Sequence, residues 1–260
     1  MRTIYLTTLL AVMAAESALA QHDHSAMQHK VAAQARLQVQ DDAARRSLTV
    51  RLGPLELPAK ADHFAVAQPA PQFLEIPFDG WIIAYHPQLV DAEGNRLPSR
   101  MLHHVAFWNT GRSDFLCPNK EEHIFGAGGE MNDWPALPGV GYRVLKGDRI
   151  RVTSMFHNPT ETSYPEVYLQ VAMEYAQKTD ATPISVYPAW FDAGECGNSG
   201  YDLPAGASSK TGEFRLNYTG TLLGVGGHLH DYGRRLVLEN ASRKETVATL
   251  DAKLNAEGHI

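Results

Sequence analysis

Two stretches of period-two alternation constrain this chain more than any other feature of its sequence. In "RSLTVRLG" Leu48, Val50 and Leu52 alternate with polar residues, and in "PEVYLQVAMEY" Val167, Leu169, Val171, Met173 and Tyr175 share one parity. Successive side chains of a strand point to opposite faces, so each stretch reads as a half-buried strand with one apolar face. Turn chemistry separates such runs: "FDGW" at 78–81, "DAEGN" at 91–95, "LKGDR" at 145–149 and "HNPT" at 157–160. No long stretch has the 3.6-residue period of a helix, and a short helix is expected only near "NKEEHIF". The pattern predicts an all-β sandwich starting at about residue 45.

With 260 residues the chain is long enough for one large or two ordinary domains. The polar segment "AQKTDATP", 176–183, marks the expected boundary between a first sandwich, 45–178, and a second β unit, 182–260. The second unit ends on "LNAEGHI", a turn followed by the start of a strand, and is expected to be incomplete. At the other end Arg2, the apolar run from Ile4 to Ala15 and the small-x-small triplet Ala18-Leu19-Ala20 read as a secretory signal over residues 1–20. That run is shorter than the roughly 20 apolar residues a membrane span needs, and no later segment is apolar enough to span. A secreted or periplasmic protein is expected.

Residues 21–44 read as a flexible tail whose His22, His24, Met27 and His29 suit either loose capture of copper or zinc or a plain solvated linker. Export makes Cys117 and Cys196 candidates for a disulfide. Neither belongs to a C-x-x-C pair, so a thiolate metal site is poorly supported. A formal net charge of -6 with scattered Lys and Arg gives no concentrated basic patch for nucleic acid.

The histidines carry the chemistry. In "GGHLHDYG", 226–233, His228 and His230 are two apart, so on a strand both imidazoles face one side, and Gly226 and Gly227 allow close backbone approach. In "MLHHVAFWN" His103 and His104 are adjacent; two neighbours on a strand can share an ion only at a strand end or a bulge, or through different ring nitrogens. His157, in "RIRVTSMFHNPT", follows a strand whose Ile150, Val152 and Phe156 are apolar, and by itself reads as a turn residue. His63, His86, His123 and His259 lack a second ligand at useful spacing and read as structural or surface residues. Neutral imidazoles suit copper and zinc alike.

Taken together, the adjacent pair, the lone histidine about fifty residues later and the H-x-H in a second β unit resemble the copper type II, ascorbate-dependent monooxygenases, the family of peptidylglycine α-hydroxylating and dopamine β-monooxygenases. The stretch "HIFGAGGEMNDWPALPGVGYRV" is similar to that family's segment leading into an "LP-x-GVG" loop, and the resemblance runs over roughly residues 70 to 235. It implies two jelly-roll-type β-sandwich domains facing each other across a solvent gap, the second truncated in this chain, each holding one copper. Carried over, His103, His104 and His157 hold an electron-transfer copper, and His228 and His230 are two ligands of an oxygen-binding copper. The family's third ligand at that second site is a downstream Met; only thirty residues follow His230 and none is Met, while Met131, Met155 and Met173 lie in the first unit. One complete copper site is therefore expected in this chain and two in a full-length protein.

Three functions follow as expectations. The first is an exported monooxygenase that hydroxylates a C–H bond of a small organic or peptide substrate, using O2 and an electron donor such as ascorbate. The second is a non-catalytic periplasmic copper carrier of the same fold. The third is a β-sandwich binding domain whose histidines are incidental.

Overall fold

The structure is a computed structural model that describes residues 30–130, 133–180, 182–197, 204–254 and 256. The expected signal, the four tail residues from His22 to His29, Met131 and His259 lie outside the described residues.

Ten strands build the sandwich. β1 (Arg36–Asp42), β2 (Ser47–Leu57), β4 (Gly80–Val90), β7 (Val140–Val144), β9 (Tyr164–Ala176) and β10 (Ile184–Val186) form a six-stranded sheet in the order β1-β2-β9-β4-β7-β10. β3 (Gln72–Glu75), β5 (Leu102–Ser113), β6 (Glu121–Gly128) and β8 (Arg149–Phe156) form a four-stranded sheet in the order β3-β8-β5-β6. The two alternating runs behave as expected: β2 pairs antiparallel with β9, and Leu48, Val50, Leu52, Val167, Leu169, Val171, Met173 and Tyr175 are all buried. They meet Leu102, Val105 and Phe107 of β5 and Ile150, Val152 and Phe156 of β8 in one core. Each such large apolar side chain, fully buried, contributes about 1.5–3 kcal/mol. The turns fall where their residues put them, and in two of them Gly94 and Gly147 take the positive φ (89° and 88°) that other residues resist.

Three expectations change. The segment "NKEEHIF" is strand rather than helix, because it enters β6 with Glu122 at an inward position, 4 % exposed. There its carboxyl accepts a hydrogen bond from the Tyr142 hydroxyl, so a polar residue occupies a core register and breaks the apolar alternation. Within the stretch read as a tail, Arg36–Asp42 forms β1, an edge strand paired along its length with β2. Its side chains are mostly solvated on both faces, which leaves no alternation to read. Beyond the polar segment, Ile184–Val186 joins the first sheet as β10, parallel to β7.

The rest of the C-terminal region contributes a single hairpin, β11 (Arg235–Asn240) with β12 (Glu245–Asp251). Among the described residues between β10 and β11 there is no strand or helix. This segment nonetheless lies against the outer face of the four-stranded sheet. A Cys117–Cys196 disulfide pins it, as the sequence suggested. No helix among the described residues is long and apolar enough to cross a membrane.

Candidate metal centre

The adjacent histidines meet the condition that strand geometry sets for them. Leu102 pairs with Phe156 and His104 pairs with Met155, so two residues of β5 oppose one interval of β8, and His103 is the extra residue of a bulge. The bulge turns His103 to the side His104 already faces, and the two rings stand 5.1 Å apart. Met155, which the sequence placed among the strands of the first unit, sits directly across from His104 in register.

His157 follows the last residue of β8. Its backbone N–H donates to the Met101 carbonyl (3.1 Å), and its ring Nε2–H donates to the Arg100 carbonyl (2.6 Å), which leaves Nδ1 with the free lone pair. The turn behind it is held by Asn158, wholly buried, whose amide donates to the carbonyls of Leu57 and Thr162 and accepts from the Thr160 N–H. The His157 ring lies 5.3 Å from that of His103.

His63 was not singled out by spacing, yet it stacks on His103 at 5.2 Å with 12° between the planes. The Asn158 N–H donates to the Ala61 carbonyl, which ties the His63 loop to the His157 turn. Forty residues separate His63 from His103, and no local pattern in the sequence links them.

The C-terminal pair arrives on irregular chain, so the expected strand under "GGHLHDYG" does not form. Its rings still share a side, 5.0 Å apart, and His230 comes within 4.6 Å of His103. The two glycines do allow close approach: a Cβ on Gly226 would stand 3.0 Å from the Trp134 ring, and one on Gly227 2.6 Å from Leu236 of β11. On the sheet side Gly128 forms the seat, for a Cβ there would fall 2.5 Å from His228 Cε1. His228 Nδ1–H donates to the Glu130 carboxylate, 3.1 Å from each oxygen, and Glu130 also accepts the Gly128 N–H at 2.8 Å. Burial, the largest single influence, raises the Glu130 pKa, but the hydrogen bond and charge of His228 together with the backbone N–H donors outweigh it and hold the carboxyl below its usual range.

Of the remaining histidines, His123 lies in a stack between Trp190 (3.5 Å, 7°) and Trp108 (4.0 Å, 22°). The Trp190 indole also donates to the His123 carbonyl, so this stack is a second anchor for the C-terminal segment. His86 is paired with Asp133 and Glu174 away from the cluster.

The resemblance implies two metal sites separated by solvent. In the structure the rings of His103, His104, His157, His228 and His230 form one contiguous cluster, with His63 against it. Imidazoles that share an ion through bonds of about 2 Å have their centroids about 5 Å apart, the scale found within each set: 5.1 and 5.3 Å from His103 to His104 and His157, and 5.0 Å between His228 and His230. No three His, Cys, Asp or Glu side chains among the described residues already converge on one point that could hold a metal ion. The donor set nevertheless suits a soft or borderline metal. Burial, then the neighbouring rings, pushes His103 down to about 2 and His104 down to about 4, so both are neutral with lone pairs available at neutral pH. His228 Nε2 is buried with no hydrogen-bond partner, an acceptor that a metal ion would satisfy.

No family model and no solved structure matches this chain. It is similar to the probable copper-dependent oxygenase M1 of Phoma sp. (strain ATCC 20986 / MF5453), 27% identical over 144 residues that cover 50% of this chain and 36% of the relative. It is similar also to the probable copper-dependent oxygenase clz3 of Cochliobolus lunatus, 27% identical over 145 residues covering 50% of this chain and 44% of the relative. The chain thus spans less than half the length of the curated relatives it matches.

Proposed function

We propose that this chain is the copper-holding part of an exported monooxygenase that hydroxylates a C–H bond of a small organic or peptide substrate with O2 and a reductant such as ascorbate. The observation that carries the reading is the meeting of two histidine sets, His103, His104 and His157 from the sandwich and His228 and His230 from the C-terminal segment, with His230 4.6 Å from His103. The names of the two relatives point the same way.

His103, His104 and His157 would hold one copper, and His228 with His230 would provide two ligands to the other. Copper at such imidazole sites supplies one-electron cycling and O2 activation. The chain's own residues do the positioning. The β5 bulge aims two rings together, the Arg100 carbonyl orients His157, and burial favours the neutral, metal-binding form of His103, His104, His157 and His230.

A copper carrier is the second reading, favoured by the exposure of His230 at the rim of the cluster, where an ion could be passed on. One experiment separates them. Purified without a His tag, the protein should bind copper stoichiometrically and consume O2 when a reductant is added, and His103→Ala/His104→Ala should lose both. Copper binding without O2 uptake under any reductant leaves the carrier, and the absence of stoichiometric copper removes both readings.

A further inference from the structure

We propose that Glu130 is a positioning residue that fixes the ring of His228 so that Nε2 faces the metal. This inference deepens the copper reading of His228 and His230 and rests on it.

A neutral imidazole carries its proton on either nitrogen, and only the other nitrogen can bind a metal. Both Glu130 oxygens stand 3.1 Å from His228 Nδ1, so the carboxylate holds the proton there and leaves the lone pair on Nε2. That Nε2 is buried and has no hydrogen-bond partner. A buried acceptor left unpaired carries an uncompensated desolvation cost, and a metal bond offsets it. The carboxylate is fixed in turn by the Gly128 N–H at 2.8 Å. Gly128 also clears the space, since a Cβ at that position would stand 2.7 Å from a Glu130 oxygen and 2.7 Å from His228 Nδ1. A carboxylate behind a ligating imidazole orients the ring and raises its basicity, and its loss typically weakens metal binding roughly 10- to 100-fold. Nothing in the spacing of residues 130 and 228 suggests the pairing; the fold alone makes it, by laying irregular chain over the end of β6.

The test uses the full chain with copper alone as the probe, comparing wild type, His228→Ala, Glu130→Ala and Glu130→Gln. Copper affinity is read by chelator competition, and the tautomer of His228 is read from imidazole nitrogen shifts in the metal-free protein. His228→Ala should lose copper, and Glu130→Ala should weaken the His228-dependent copper roughly 10- to 100-fold while the His103-dependent copper is unchanged. In the same variant the His228 proton should no longer be confined to Nδ1. Glu130→Gln keeps an oxygen acceptor, so it should keep the Nδ1–H tautomer and recover most of the affinity; it carries the test if Glu130→Ala does not fold. Wild-type affinity and an unchanged tautomer in Glu130→Ala would overturn the proposal. So would a copper spectrum that loses an oxygen ligand in that variant, which makes Glu130 a ligand instead. If His228→Ala leaves copper uptake unchanged, the copper reading of that pair fails, whatever Glu130 does.

Discussion

The two histidine sets reach one cluster by different means. His103, His104 and His157 are placed by backbone: a bulge in a paired strand, and a turn closed by the buried Asn158. His228 and His230 are placed by side chains acting at a few points along otherwise irregular chain: the Cys117–Cys196 bond, the Trp190 stack, Trp134 against Gly226, and the Glu130–Gly128 seat. Between those anchors the segment leaves Leu216, Tyr218, Leu222 and Leu223 at least half exposed, whereas the sandwich buries its alternating residues almost completely. A ladder of hydrogen bonds makes the first set insensitive to most single substitutions, while the second set depends on each anchor separately.

Removing the disulfide should break the comparison most severely. The bond closes a sequence separation of 79 residues, for which the chain-entropy account gives about 4.5 kcal/mol. Cys117→Ser/Cys196→Ser is expected to lower the urea midpoint by a corresponding amount and to free the segment that carries His228. Copper dependent on His228 should weaken, while copper dependent on His103 should persist in the fraction that folds. Equal loss at both sets would mean that they are not separately supported.

Asn158→Ala is the converse. It removes the donor to the Leu57 and Thr162 carbonyls and the acceptor of the Thr160 N–H, at a wholly buried position. Leaving such groups unpaired should cost about 3 kcal/mol in denaturant unfolding. The His157 turn and the His63 loop, joined through the Ala61 carbonyl, should loosen together. Copper affinity should then fall at the sheet-borne set first, the reverse of the disulfide variant.

How much of this was legible in the sequence follows the same division. The apolar faces of β2 and β9 are written as period-two alternation because one side of each strand is core and the other is not. Four of the five clustered histidines were legible as candidate ligands, since H-H and H-x-H are local patterns, whereas His157 was singled out only through the resemblance. β1 was not, because an edge strand solvated on both faces has no apolar face to alternate. β6 was obscured by Glu122, whose buried position is explained by Tyr142, twenty residues away. The bulge at His103 depends on how β5 registers against β8, and His63 and Glu130 join the site only through contacts across the fold. A strand was expected under His228 and His230 because period two makes two imidazoles face one way; here their common direction comes from packing on Gly128 and His103 instead.

Gly128→Ala should have the smallest effect on stability and the cleanest effect on the site. The position is not in the left-handed region, so alanine meets no backbone strain there and restricts the unfolded chain, a gain of about 0.4–1 kcal/mol. Against that, its Cβ would lie 2.5 Å from His228 Cε1 and 2.7 Å from a Glu130 oxygen, both at the ends of side chains that can rotate away. Moving them costs little fold energy but dismantles the seat. Thermal stability should therefore stay within about 1 kcal/mol of wild type, while copper dependent on His228 weakens roughly tenfold and copper dependent on His103 does not change. Gly126→Ala offers the contrast, since its Cβ would meet the Trp190 ring at 2.9 Å and the Val105 backbone carbonyl at 3.2 Å, and backbone cannot rotate out of the way. If Gly128→Ala proved as destabilising as Gly126→Ala, the C-terminal histidines would be held as rigidly as the sheet-borne ones, and the distinction between the two sets would disappear.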